Sequence, residues 1–268
     1  MSYIIYYNIR AIGGTCQELF LFNLALRVAS FDVLSDIKRE LDLEEQGEDI
    51  VIHPEKYERS ELNFQIIHTN DKLLSKDSDY WDIRNSIGNI KTSKCLEYIS
   101  SIHSKDWEHF KDKDKKEEIN YEDVNHFFND ENDNINSLLI FCPHKTNLFG
   151  VEHIHAEIEN ELNLGNISGK YHGSDNKMNE EELEKTQNYF KNDTYRILTA
   201  TKAFGMGIDK PNIRSTLHIN MPPSIESFYQ EAGRSGRDEE KAFCVILYSG
   251  NKMKNTYTQN EEDYYSID

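Results

Sequence analysis

The sequence predicts an α/β fold: a mostly parallel sheet with helices on both faces. Two observations carry this. Residues 137–142 (SLLIFC) and 242–248 (AFCVILY) are unbroken apolar runs of strand length, as expected of strands buried on both sides. Between them, segments of helical pattern alternate with further short apolar runs. That order builds right-handed crossovers between parallel strands. The length of 268 residues allows one large or two small domains with ample core.

Taken in order, the first 28 residues say little. Tyr3–Tyr7 reads as a strand, Gly13-Gly14 as a turn and Leu19–Val28 as an apolar run. From Ala29 a helix is expected. Ser30 or Asp32 can cap it, and Val33, Leu34, Ile37 and Leu41 recur at helical spacing. Ile50–His53 reads as a strand. Leu62, Phe64 and Ile66 alternate as a half-buried strand does.

Asp71 to about Asn134 is expected to be a solvated, partly helical insertion. Lys91–His103 suits a helix with Leu96, Ile99 and Ile102 inward. Lys105–Glu118 is dominated by Lys, Asp and Glu, and Asn129–Asn136 by Asn and Asp. Such tracts bury too little apolar surface to offset the entropy of ordering. A basic contact through Lys111, Lys113, Lys115 and Lys116 is opposed by the interleaved acids.

Beyond Ser137 the pattern is regular. Val151–Leu162 is helical, Ile167–Tyr171 a short strand and Asn179–Phe190 an acidic amphipathic helix. Arg196–Thr199 and Ser215–Ile219 are strands, Ile225–Ala232 a helix and Ala242–Tyr248 the last strand.

Composition narrows the classes. The formal net charge is −18, which weakens non-specific attraction to phosphate and requires any nucleic-acid contact to be local. No apolar run approaches the roughly 20 residues that span a bilayer, and no secretory signal is read. The four cysteines, Cys16, Cys95, Cys142 and Cys244, are scattered. They support neither a disulfide framework nor a zinc site, and point to reduced thiols in a cytoplasmic protein. No metal site is expected.

The densest chemistry lies between Arg196 and Asp238. Ala203-Phe204-Gly205-Met206-Gly207-Ile208-Asp209-Lys210-Pro211 is a glycine-punctuated loop after a strand. Glycines there permit close approach of backbone to a bulky group. Gln230-Glu231-Ala232-Gly233-Arg234-Ser235-Gly236-Arg237-Asp238 follows a helix. Arg234 and Arg237 are spaced to aim two permanently charged forks at one anion.

The wording AFGMGIDKPNIR followed by QEAGRSGRD resembles motifs V and VI of superfamily 2 helicases, and among them the RecQ family of DNA helicases. Phe141-Cys142-Pro143-His144-Lys145 resembles motif IV. Tyr171-His172-Gly173-Ser174 resembles the family's next motif, whose loop contributes to the nucleic-acid surface. The resemblance implies a three-layer RecA-like domain, the second of two motor domains. It implies 3′ to 5′ ATP-driven translocation on single-stranded or forked DNA, with repair, recombination and defence against phage as the open choices of pathway.

Carried over residue by residue, it gives Arg237 as the arginine finger on the γ-phosphate, with Arg234 in support; Gln230 is expected to orient one of the two or reach the nucleotide, and Asp238 to bridge to Arg237. Gly205, Gly207 and Asp209 are expected near the nucleotide. Thr201, by hydroxyl and backbone N–H, Lys202 and His172 are expected at the nucleic acid. Asp209 also reads as a turn-former before Lys210-Pro211. The cofactors implied are ATP and Mg2+.

Two family parts are missing from the sequence. There is no GxxxxGK[ST] phosphate cradle and no DExH box. The fragments at Ile87–Thr92 and Gly169–Tyr171 lack the required spacing. Where the family has Thr-Ala-Thr-Ala, this chain reads Leu26-Arg27-Val28-Ala29. The expected organisation is therefore 1–66 as the end of motor domain one and a link, 67–136 as a charged, partly disordered insertion, 137–250 as motor domain two and 251–268 as a polar tail. The chain alone is expected not to hydrolyse ATP. A separate chain supplying motor domain one is one expected partner; a non-enzymatic module that binds nucleic acid or a partner is the alternative. The zinc-binding and winged-helix modules common in RecQ proteins are not read in it.

Overall fold

The computed structural model describes residues 4–5, 51–52, 59–69, 80–112, 115–129, 135–173, 180–204, 209–249, 252–254 and 264–266. The chain divides into two compact units, Met1–Ser60 and Glu61–Asp268. In the first, β1 (Ile4–Ile5) pairs antiparallel with β2 (Val51–Ile52). The helix expected around Val33–Leu41 and the Leu26–Ala29 segment lie outside the described residues.

The second unit is organised by six strands: β3 (Leu62–His68), β6 (Ser137–Phe141), β7 (Ser168–Tyr171), β8 (Ile197–Ala200), β9 (Ile213–His218) and β10 (Ala242–Tyr248). They lie in the order β3-β10-β9-β6-β8-β7. Every neighbouring pair is parallel. A hairpin of β4 (Trp107–Asp112) and β5 (Lys115–Ile119) precedes the sheet's central strand in sequence. β11 (Lys252–Lys254) and β12 (Tyr264–Ser266) pair antiparallel within the expected tail.

Alternation along β6 shows why the domain has three layers. Leu138 and Ile140 point to one face, Leu139 and Phe141 to the other, and all four are buried. The first face is covered by α1 (Tyr80–Ser101), α2 (Val124–Phe128) and α3 (Val151–Glu161), through Ile87, Ile99, Phe127 and Ile154. The second is covered by α4 (Glu180–Lys191) through Phe190 and by α5 (Ile225–Ala232) through Ala232.

Three expectations change. The stretch 67–136 was expected to be a solvated insertion, yet its described residues close one face of the core. Tyr98, Ile99, Ile102, Trp107, Phe127 and Phe128 are all buried. The reason is a helical stripe, Ile87, Lys91, Cys95, Tyr98, Ile99 and Ile102, that a lysine interrupts. Lys91 is fully buried, and its ammonium donates to Asn220 Oδ1 at 3.1 Å. The last Asn of the Asn/Asp tract is also structural: Asn136 Nδ2 donates to Tyr121 Oη at 2.8 Å and to the Phe127 carbonyl at 2.9 Å.

The second change concerns β3. Read as an inter-domain link, it is an edge strand in register along the whole of β10, from Leu62 opposite Ala242 to His68 opposite Tyr248. Leu62 is buried, but Phe64 and Ile66 are 49% and 59% exposed. Phe64 rests against α5, with its ring 5.5 Å from that of Phe228 and 6.3 Å from that of Tyr229. Third, β9 begins at Ile213 rather than Ser215, because Ile213 itself enters the second-face core.

Ile99→Ala is expected to destabilise the domain by about 2–5 kcal/mol in urea unfolding, since a fully buried side chain leaves a cavity. Ile225→Ala, at a side chain 77% exposed, is expected to change stability by no more than about 0.5 kcal/mol.

Candidate functional site

The parallel sheet splits the expected site residues between its two ends. His172 and Thr201 follow the C-terminal ends of β7 and β8. Asp209 lies just before β9, and Arg234 and Arg237 lie between α5 and the start of β10.

The arginine end is built by the exit from α5. Ser224 caps this helix, its Oγ accepting the Ser227 N–H at 3.1 Å. The backbone N–H of Glu226 and the Ser224 side chain hold the Glu226 carboxyl below its usual range. The helix ends at Gly233. Gly236 then adopts φ +60°, where an added Cβ would sit 2.9 Å from the Glu240 carbonyl oxygen. Its N–H donates to the Ile213 carbonyl at 3.0 Å, fixing the loop to the first residue of β9.

Arg237 is partly exposed, and its Nη1 donates to Asp209 Oδ1 at 2.7 Å. Asp209 is thus brought to the candidate finger. Arg234 is half-buried beside it. Burial lowers its pKa, the Arg237 charge lowers it further and Glu231 raises it; a guanidinium remains charged regardless. Gln230 is exposed on α5. Gly205 and Gly207 lie outside the described residues.

Asp238 was expected to bridge to Arg237. Instead Arg214 grips it: Nη1 donates to Asp238 Oδ1 at 2.9 Å and Nη2 to Oδ2. Arg214 Nη2 is also 3.0 Å from Glu240 Oε2. The fork of a buried arginine on β9 satisfies both carboxylate oxygens, which removes Asp238 from reach of Arg237.

At the other end, Lys202 is exposed and Thr201 half-buried. The Thr201 N–H donates to the Tyr171 carbonyl at 3.1 Å, extending the β7–β8 ladder. The backbone donor expected for a phosphate is therefore used inside the sheet; the hydroxyl and the Lys202 ammonium remain. His172 is not at the surface. Its ring is 1% exposed, with Nε2 3.0 Å from Glu152 Oε1. Glu152 also accepts from Lys170 Nζ at 2.5 Å. Burial pushes the Glu152 carboxyl up, but the hydrogen bonds and charges of Lys170 and His172 prevail and hold it below its usual range.

Arg214, Glu152 and His218 were missed in the sequence. The signal for two of them is present: β9 reads IRSTLH, with Arg214, Thr216 and His218 at alternate positions in an otherwise apolar sheet. Among the described residues, no group of His, Cys, Asp and Glu can hold a metal ion. Nor is any described helix long and apolar enough to cross a membrane.

The helicase conserved C-terminal domain family matches residues 119–239. The ATP-dependent DNA helicase RecQ of Bacillus subtilis is 48% identical over 82 residues, covering 31% of this chain and 13% of that protein. This portion is a RecQ-like superfamily 2 helicase C-terminal domain. The putative ATP-dependent RNA helicase R290 of Acanthamoeba polyphaga mimivirus is 43% identical over 83 residues, 31% of this chain and 15% of that protein. The crystal structure of the yeast DEAD-box splicing factor Prp28 aligns over 74% of this chain and 31% of that one, with 16% identity and a TM-score of 0.46. The chain thus spans a small part of the curated relatives it matches. The helicase match starts at residue 119, inside the stretch first read as an insertion.

The depressed Glu152 carboxyl gives a pH test. A carboxylate whose folded pKa is lowered contributes stability above its unfolded pKa and loses it as pH falls through the folded one. Glu152→Gln is expected to cost about 1–2 kcal/mol near neutrality. Its deficit relative to wild type should close as pH drops below the ordinary carboxylate range, followed by urea unfolding at a series of pH values.

Proposed function

We propose that this domain is the second motor domain of an ATP-dependent, RecQ-like 3′ to 5′ DNA helicase. It presents Arg237, assisted by Arg234, to the phosphates of a nucleotide held by a P-loop domain. The observation that carries the reading is the pair of arginines on one loop, with Arg237 ion-paired to a carboxylate that is itself 85% exposed. Such a pair is weak and screened, so Arg237 can exchange Asp209 for an anion of higher charge.

The residues fit phosphate oxygens rather than metal. Two guanidiniums supply forked donors, while no described carboxylate cluster suits Mg2+. ATP, with its Mg2+, supplies the phosphoryl group whose transfer needs positive charge placed as the transition state forms. Arg237 provides that charge from this domain. Lys202 and the Thr201 hydroxyl, at the opposite end of the sheet, contact the strand backbone. DNA as the substrate is supported by the relatives named as DNA helicases and by the motif wording; the polarity follows from the family resemblance. Because the sequence holds neither GxxxxGK[ST] nor DExH, those parts come from protein outside these 268 residues.

The test is ATPase activity with and without single-stranded DNA or RNA. The chain is assayed alone and mixed with a protein supplying the P-loop, the product encoded upstream being the first candidate. The expected result is no rate alone and a DNA-stimulated rate in the mixture. Arg237→Ala should lower kcat about 1000-fold or more with little change in KM. A full rate from the chain alone would refute the division of labour. A mixture rate indifferent to Arg237→Ala would refute the finger. Folded protein with DNA binding but no rate in any mixture would favour a binding module.

A further inference from the structure

β9 carries two polar, ionisable side chains where a buried sheet strand ordinarily carries aliphatic ones. Arg214 is 4% exposed and His218 1%. Between them is Thr216, also buried; Thr216 and His218 share the face that meets α5, and Arg214 falls at a register shift, where Ile213 pairs with Ser137 and Ser215 with Leu138. The opposite face is conventional: Leu217 enters the core beneath the α1 layer, and Ser215 Oγ lies 2.7 Å from Tyr98 Oη of α1.

Each of the two reaches the segment that bears the arginines. Arg214 takes both oxygens of Asp238, the residue immediately after Arg237, and lies 3.0 Å from Glu240. His218 Nε2 lies 3.0 Å from Glu231 Oε2, three residues before Arg234. The imidazole is fixed on its remaining sides. Its Nδ1 is 3.3 Å from the Val245 carbonyl oxygen, and its ring stacks on Phe141 at 4.9 Å and meets the edge of Phe228 at 5.0 Å.

An ion pair formed by a buried arginine is a poor route to stability, because desolvating the guanidinium offsets much of the attraction. What it provides is a defined geometry: a fork on two carboxylate oxygens tolerates little rotation. We infer that Arg214 is a positioning residue, a forked clamp from a rigid strand that fixes the Asp238 end of the segment 231–240, while the His218 ring packs against its Glu231 end, and that together they aim Arg234 and Arg237. Leu217 and Val245 hold the strand in the core, so the aim of the loop is referenced to the sheet rather than to solvent-exposed contacts. Glu231 has a second task here, since its charge also acts on Arg234.

Arg237's role at the phosphate is the reading proposed above, on which this assignment rests. Hydrogen exchange needs no nucleotide, so it separates a failed clamp from a failed finger. Backbone amide exchange would be followed by mass spectrometry on the full chain, for wild type, Arg214→Lys, Asp238→Asn and the double variant, with His218→Gln as a second site. Lysine keeps the charge and loses the fork. The expected result is exchange about tenfold faster across 233–241 in Arg214→Lys, with β6 and β10 unchanged. The double variant should be no faster than either single one, as expected of one shared interaction. His218→Gln should loosen 225–234 in the same local way. Unchanged exchange in these segments would overturn the inference. So would acceleration spread evenly over the sheet, which would mark the two residues as ordinary contributors to global stability.

Discussion

All six strands of the central sheet run the same way, and most of the rest follows from that constraint. A chain leaving the end of one strand must return across a face before it can enter the next, so both faces are roofed and both must be apolar. This explains the inward pairs of β6, Leu138 and Ile140 against Leu139 and Phe141. It also explains why the segment after β8 reaches two places. The chain leaves β8 at Thr201, at one end of the sheet, and must reach the other end to begin β9 at Ile213. Thr201 and Asp209, close in sequence, therefore belong to different ends of the domain.

The same constraint decides what was legible in the sequence. Ala242–Tyr248 and Ile225–Ala232 are found at the residues where apolar runs and helical spacing put them. Long apolar strands and a capped amphipathic helix are local signals.

What was not legible depends on partners distant in the chain. Nothing near Asp238 indicates that its carboxylate is taken by Arg214 rather than Arg237. Nothing near His172 indicates that its ring is buried against Glu152. The α1 layer failed for a different reason. A stripe with Lys91 in it scores as polar, although the ammonium finds Asn220 and the stem fills the core. The helix itself was read over Lys91–His103, but composition averaged over 67–136 concealed that it begins at Tyr80 and packs on the core.

The fold leaves the two arginine-bearing contacts in different electrical surroundings. Arg214 is buried where it meets Asp238, whose side chain is 28% exposed; Arg237 is partly exposed where it meets Asp209, whose side chain is 85% exposed. Dissolved ions therefore act more strongly on the second contact than on the first. Raising the ionic strength frees the tip of the loop while its root stays fixed, since screening over a Debye length of about 8 Å at physiological salt reaches exposed charges far more than sheltered ones. The loop is thus a stiff mount with a single salt-sensitive fingertip.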